Sequence, residues 1–503
     1  MRRGRRRAPG RGGDRLTPPL LPVAPPPRPV LESRPGWLEP LEALQRVRGR
    51  RHPVLLLSGL EGHPASRYSI LAWDPLLVIA IRGDVATLVP APDRDRPIET
   101  RHLRDPFDFL RSLAPAGAMR RAVPGLPFAG GAIGYLGYGL RRAVERLPAA
   151  PPDPLGQPDA WFGLYDKAAV FDHQERRVVL TATGLGAADE KEREARAAAG
   201  LRDLSEALGG SATMPRPASR ATGRLPRAAS LQTDKKAYLR CIARALDYIA
   251  AGDLYQVNLS HRIACPFDGD PVGLFLDLAR YNPAPFSAYL DAGDFQVASA
   301  SPERFLSLRG DSVLSSPIKG TRPRGRTPED DLRLARELSQ SGKDRAENVM
   351  IADLVRNDLG RVCETGSVRV DRLCALESFA TVHHLVSTVS GRLRPDADRV
   401  DLLRALFPGG SMTGAPKVRA MEIIDELEGE ERGVYAGGIG YLSLDGSMDF
   451  NIVIRTVVCV GGQAHLRVGG AIVADSDPEI EHRETLDKAK GALEALGARL
   501  SGP

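Results

Sequence analysis

The sequence predicts an α+β fold carried by large antiparallel sheets. Three observations support this. Short β-like runs ("PVLLLSG", "LLVIAIRG", "RRVVLTATG") recur between about 36 and 183. The 437–473 stretch reads as consecutive strands, with Asp445-Gly446 and Gly461-Gly462 as hairpin turns. Helical segments interrupt these strands rather than alternating with them, which argues against a doubly wound parallel sheet.

Taken in order, the first segment is a Pro/Gly-rich leader over 1–34 that holds six arginines in its first eleven residues and lacks the apolar stretch of a secretory signal. It is expected to be disordered. Residues 35–208 form a sheet-rich N-terminal part that includes the glycine-dense "FAGGAIGYLGYG" and ends in a charged helix over 187–207. A linker follows at 209–232, "GGSATMPRPASRATGRLPRAAS" at its centre, and 233–503 is the larger C-terminal part. There Thr233 or Asp234 caps a helix with Tyr238, Ile242, Ala245 and Ile249 at helical spacing, closed by Gly252. Thr327-Pro328 opens another, a further one starts at Asp344, and Asp477-Pro478 opens the last.

Composition narrows the function classes. The 503 residues are 42% hydrophobic and 26% charged, ordinary for a globular chain, and no apolar run nears the roughly 20 residues that cross a bilayer. The net charge of +6 is matched by the six leader arginines, so the body is near neutral and nucleic acid is not an expected partner. Five cysteines with no C-x-x-C spacing suggest neither a disulfide framework nor a thiolate zinc site, and fit a reducing cytoplasm.

Several constellations stand out. Glu481, Glu484 and Lys488 share one face of the final helix, and Asp344 and Glu347 repeat the three-residue acid spacing at another helix start. A solvated salt-bridge face and a set of hard oxygen ligands for Mg²⁺ are both compatible with that spacing. Arg455 interrupts the apolar run "NIVIRTVVCV", where its fork suits either a neighbouring acid or a substrate carboxylate. His384, in "TVHHLVST", reads from its own segment as a structural side chain. "FPGGSMTGAPK" lacks the G-K-[ST] ending of a nucleotide P-loop, and "FAGGAIGYLGYG" lacks the dinucleotide context. Lys319, in "SSPIKGTRPRG", sits where a strand favours an apolar or β-branched residue.

Together "YIAAGDLYQVNLS", "ASASPERFL", "SPIKGT", "KDRAENVMIADLVRNDLGRV", "HHLVST", "FPGGSMTGAPKVRAMEIIDELE", "GGIGYLS" and "GGAIVADSDPEIEHRETLDKA" resemble the chorismate-utilising enzymes, in order and spacing, from about 235 to 497. That family includes anthranilate synthase component I and isochorismate synthase. The resemblance implies two large packed antiparallel sheets with helices outside. The lysine of "PIKGT" is similar to the aminodeoxychorismate synthase component I pattern, whereas anthranilate synthase component I typically has alanine there. The implied reaction replaces the chorismate hydroxyl with nitrogen, giving 4-amino-4-deoxychorismate for p-aminobenzoate and folate synthesis. The alternatives are anthranilate synthase component I and a non-catalytic relative that binds an amidotransferase.

Residue by residue, the resemblance implies that Lys319 is the nucleophile, Glu303 the general acid/base and His384 a group near the reacting ring. It implies Mg²⁺ ligation by Glu347 and Glu484, with Asp344 and Glu481 acting through water. Arg455, Tyr435, Gly469 and Lys488 are then substrate-carboxylate contacts, and Ser411 a loop contact. Ala471 and Gly139 depart from common family residues, and the tryptophan-feedback signature is not evident at "LLLSGLEG". No glutaminase signature is apparent, so the ammonia is expected from a separate glutamine amidotransferase subunit in a heterodimer.

Overall fold

Strand pairing, not sequence proximity, assembles this chain. The computed structural model describes residues 20–21, 28–60, 62–92, 96–113, 119, 123, 125–209, 226–379 and 382–501. Among them, thirteen strands form one sheet and twelve form a second. Every strand pair is antiparallel except Arg227–Leu231 with Ala498–Leu500.

The two sheets face each other across a core that mixes Ile70, Ala288, Leu290, Val297 and Val458 of the first with Val78, Ile133, Tyr135, Trp161, Ile439 and Tyr441 of the second. Fully burying an aliphatic side chain of this kind contributes about 2 kcal/mol. Helices Pro40–Arg46, Glu190–Leu208, Pro271–Tyr281 and Pro478–Leu496 cover the outer face of the first sheet through Leu44, Leu204, Phe275 and Leu493. Helices Pro106–Leu110, Gly342–Gly360 and Arg399–Leu406 join the apolar cluster outside the second, while Lys235–Ala250 and Lys417–Glu428 share that cluster but pack on the strand Gln256–Pro266 of the first. The layered α/β/β/α order follows from two sheets that each have two apolar faces to cover.

Both sheets are sewn from the two halves of the chain. In the first, Val54–Leu57 pairs with Phe286–Asp291, and in the second Gly131–Leu136 pairs with Gly438–Ser443. Either half alone would leave an open edge in each sheet. The seam explains the glycine-dense segment: Gly134 and Gly440 lie directly opposite one another. A Cβ at Gly134 would run into the Trp161 carbonyl, and one at Gly440 into the Asp449 carbonyl. Gly139 has a different reason, because the Asp159 carboxyl occupies the space its side chain would need.

Several boundaries differ from the sequence reading. The leader does not extend to 34: Val30–Arg34 is an edge strand on Arg177–Ala182, and Leu20 and Leu21 are buried. Val30 and Leu31 remain exposed, so the alternation that marks a half-buried strand is missing there. Residues 1–19, with the arginine run, lie outside the described residues. The linker likewise ends early, since Arg227–Leu231 pairs with both Gln256–Pro266 and Ala498–Leu500, while 210–225 lie outside the described residues. The helix read from Asp344 begins at Gly342, where the Ser341 hydroxyl accepts from the Asp344 amide. Asp234 and Thr327 cap their helices as read, and Asp477 caps the last. Among the described residues no helix is long and apolar enough to cross a membrane.

Replacing Gly134 with alanine is expected to destabilise the protein by about 3 kcal/mol, read as a lowered midpoint in thermal or urea denaturation. An unchanged midpoint would show that the backbone approach at the seam is not a constraint.

Candidate active site

Lys319 lies in the strand Ile318–Pro323, which pairs with Val382–Arg392. A bulge separates Lys319, opposite Leu385, from Thr321, opposite His384. The residue between them, Gly320, has φ +77°, and a Cβ there would press on the Asp344 side chain and on Leu338. The bulge therefore needs glycine beside the lysine.

The amine is held largely out of bulk water. Burial pushes the Lys319 pKa down; Glu347 opposes this, Lys488 adds to it, and Glu303 and Glu484 oppose it. Residues from three other segments thus act on one amine. Glu303 follows the strand Phe295–Ser301, and its backbone is fixed by Ser301 Oγ (3.3 Å) and the Ile452 amide (3.0 Å). Its carboxyl is buried and pushed up to about 7, although the Ser411 hydroxyl, Lys319, the Ile318 amide and Arg455 all favour its ionised form. Such a carboxyl can give up or take a proton near neutral pH.

Arg455 has φ +52°, a left-handed conformation that costs an L-residue about 1–2 kcal/mol. Burial lowers its pKa to about 10, with Glu303 as the opposing charge. Its guanidinium lies 3.2 Å from His384 Nε2. Because a guanidinium only donates, Nε2 accepts, and Nδ1 carries the proton that it donates to the Gly320 carbonyl at 3.2 Å. Thr321 Oγ1 is 3.0 Å from the same nitrogen. Burial, then Arg455, lowers the His384 pKa to about 3, so the ring is neutral. His384 therefore fixes Arg455 and the bulge at once.

The acids come from the first two turns of the helices Gly342–Gly360 and Pro478–Leu496. Glu347 is pushed above the usual carboxylate range by burial, with Asp344 and Glu481 adding to the effect and Lys319 and Lys343 opposing it. Glu484 is lowered by Lys488, 2.8 Å away. Glu481 is buried, accepts from Ser476 Oγ at 2.7 Å and has Lys343 at 3.6 Å. Asp344 accepts from Arg322 at 3.1 Å, so it already has a cationic partner. Among the described residues no three carboxylate, imidazole or thiol groups converge closely enough to hold a metal ion. The donor chemistry nevertheless fits a hard divalent cation, since carboxylates face one another at Glu347 and lysines balance them.

The remaining residues divide. Lys488 donates to the Gly469 carbonyl at 2.9 Å, and its charge helps to lower the Lys319 pKa. Ser411 contacts Glu303. Tyr435 instead stacks near Arg432, 5.8 Å from ring to guanidinium, and its phenol is pushed up to about 12 by burial in the neighbourhood of Arg432, Glu428 and Arg467. Tyr435, expected as a substrate-carboxylate contact, thus lies in the Arg432 network and is not among the groups that shift Lys319.

Two participants were missed. Lys343 stands four residues before Glu347, a helical ion-pair spacing legible in the sequence. Asn348 donates from Nδ2 to the Leu385 carbonyl at 2.9 Å and accepts from the Ser387 hydroxyl, tying the Glu347 helix to the residue opposite Lys319. A fully buried asparagine in a helix was its signal. A cavity of about 590 Å³ is lined by Ser58, His63, Arg67, Arg304 and Asp449 and includes neither Lys319 nor Glu303.

The chorismate binding enzyme family model matches residues 61–494. The chain is 42% identical to the aminodeoxychorismate synthase component 1 of Salmonella typhimurium over 444 residues, 88% of this chain and 92% of that one. It is also 42% identical to the anthranilate synthase component 1 of Thermus thermophilus over 460 residues, 91% and 95% of the two chains. The crystal structure of anthranilate synthase component I from Streptococcus pneumoniae superposes with a TM-score of 0.73 at 35% identity, covering 86% of this chain and 93% of that one.

Ring ¹⁵N shifts of His384 at pH 6 should report a neutral, Nδ1-protonated imidazole. A ring titrating near 6.5 would contradict the arrangement with Arg455.

Proposed function

The chain belongs to the chorismate binding enzyme family, and on that premise we propose that it aminates chorismate as the large subunit of an aminodeoxychorismate synthase. The observation that carries this reading is a lysine amine, Lys319, depressed by burial within reach of a carboxyl, Glu303, raised by burial. The two relatives reported above are equally identical to this chain, so overall similarity does not choose between their activities. Lys319 supports the first of them, because an amine can add to the ring where alanine cannot.

In this reading Arg455, held by His384, grips a substrate carboxylate, and Lys488 with the Gly469 carbonyl borders the opposite side. The neutral amine of Lys319 adds at the far end of the ring diene while Glu303 gives its proton to the departing hydroxyl, which leaves as water. Ammonia then enters at the vacated carbon as the bond to the lysine breaks and Lys319 leaves as the neutral amine; the Glu303 carboxylate takes the proton that the new ammonium group sheds, so the net change is one hydroxyl replaced by one amino group with release of water. Glu347 and Glu484, with Asp344 and Glu481 behind water, would hold Mg²⁺, which compensates the charge of the ring carboxylate when bound. The lowered amine pKa favours the neutral nucleophile, and the raised carboxyl pKa favours the acid form, each in the direction its step needs.

Incubation with chorismate, Mg²⁺ and ammonia should yield 4-amino-4-deoxychorismate with its enolpyruvyl group retained. Lys319→Ala should lower that rate at least about 100-fold. Formation of anthranilate, or full activity in the alanine variant, would refute the reading.

A separate glutaminase subunit is expected to supply the ammonia. Glutamine should support turnover only when that subunit is added and copurifies; glutamine-dependent activity of this chain alone would overturn the heterodimer.

A further inference from the structure

In the proposed reaction Glu303 serves twice, as the acid for the departing hydroxyl and as the base for the new ammonium group, so its proton affinity must suit both steps. Burial raises that affinity, and the Ser411 hydroxyl, donating to the carboxyl, is the foremost group that lowers it. Ser411 sits in a single 3₁₀ turn, Gly410–Met412, with Gly409 before it and Gly414 soon after. The turn's own hydrogen bonds are long, 3.1 Å from the Met412 amide to the Gly409 carbonyl and 3.3 Å from the Thr413 amide to the Gly410 carbonyl. Its glycines add conformational freedom. Contacts from outside must hold it.

Arg432 supplies them. Its side chain is almost wholly buried, and Glu428 accepts from Nε at 2.9 Å and from Nη2 at 2.5 Å, which balances its charge. The same guanidinium donates from Nη1 to the Met412 carbonyl at 2.8 Å and from Nη2 to the Asn258 carbonyl at 2.7 Å. One planar fork therefore joins the end of the helix Lys417–Glu428, the strand Gln256–Pro266 and the turn that carries Ser411. Thr413 closes the turn from the other side: its buried Oγ1 lies 3.3 Å from both the Gly409 and Gly410 carbonyls, and its carbonyl accepts from the Asn258 amide at 2.8 Å. The charged groups facing Glu303 are Lys319 and Arg455; Glu428, Tyr138 and Tyr435 face Arg432.

We infer that Arg432 is a positioning residue for the proposed acid/base: by holding the Met412 carbonyl it fixes the turn that presents the Ser411 hydroxyl to Glu303. The inference rests on the functional reading above for the role of Glu303. It also gives the buried Glu428–Arg432 pair a task beyond stability, because a lysine in place of the arginine could balance Glu428 and still lack the fork that reaches the turn.

The test is the Glu303 carboxyl band in infrared difference spectra of the full chain without substrate, assigned by its loss in Glu303→Gln and followed against pH. Its midpoint should lie near 7 in the unmodified protein. Ser411→Ala removes a donor that favours the ionised form, so the midpoint should rise, by about one pH unit. Arg432→Lys should raise it by about half as much, and the Ser411→Ala/Arg432→Lys double variant should show no more than the alanine shift, because both changes act through one hydroxyl. Thr413→Val, which loosens the same turn, should raise the midpoint as Arg432→Lys does, and it decides the matter if the lysine variant does not fold. Turnover in ammonia-driven amination at pH 7 should fall about fivefold in these single variants, with KM for chorismate held in Arg432→Lys. A midpoint unmoved by Arg432→Lys and Thr413→Val, or additive shifts in the double variant, would make Arg432 a structural residue only and overturn the inference. Unchanged turnover despite a moved band would overturn its link to the reaction. Because the band is read without substrate, these failures are distinct from absence of amination by the unmodified chain, which would overturn the functional reading itself.

Discussion

Charged groups held out of bulk water between two sheets are the constraint on which this molecule turns. Lys319 sits on a strand of the second sheet, Gly469 on a strand of the first, and Arg455 precedes another strand of the first. Isolating an ammonium, a guanidinium and a carboxyl there would be prohibitive if each stood alone. They stand together, and the net effect of burial is to move Lys319 and Glu303 toward their neutral forms rather than to expel them. Reactivity and stability are therefore set by the same desolvation.

A scaffold of buried polar contacts holds these groups in position. Asn348, Ser387 and the Leu385 carbonyl lock a helix to the ribbon beside the lysine. Glu428 lies between Arg432 and Arg467, with Ser260 Oγ at 2.8 Å, and joins the strand that carries Gly469 to the helix Lys417–Glu428. His261 Nε2 lies 2.7 Å from Thr485 Oγ1, next to Glu484, pinning the final helix to the strand Gln256–Pro266 that pairs with the Gly469 strand. Paired buried groups of this kind favour one arrangement of a polar interior, because a slip would leave more of them unsatisfied, as His261 Nδ1 already is. The left-handed backbone at Arg455 fits this picture: its guanidinium, its carbonyl to the Ala300 amide and the His384 ring together fix a conformation that the residue would otherwise avoid.

Much of this was legible in the chain. Alternating and continuous apolar runs placed the strands Leu77–Arg82, Arg177–Ala182 and Gly438–Ser443, and side-chain caps placed helix starts at Asp234, Thr327 and Asp477. Edge elements were not legible. Val30–Arg34 and Arg227–Leu231 owe their existence to backbone pairing, and their side chains are largely exposed or mixed. Among the site residues, motif order brought Lys319, Glu303, Glu347, Glu484 and Lys488 onto one list, while no local pattern could assign Asp344 to Arg322 or Tyr435 to the Arg432 network. Those partners lie on other elements.

The sequence by itself determined the helices and the apolar strands and which side chains carry chemistry, because periodicity, capping and residue type are local properties. Tertiary structure alone decided that the two halves share both sheets, that Gly320 makes room for Asp344 beside the reactive strand, and that His384 is a neutral prop for Arg455. Each of these depends on desolvation and on register between residues far apart in the chain. Neither exists until the sheets have closed on one another.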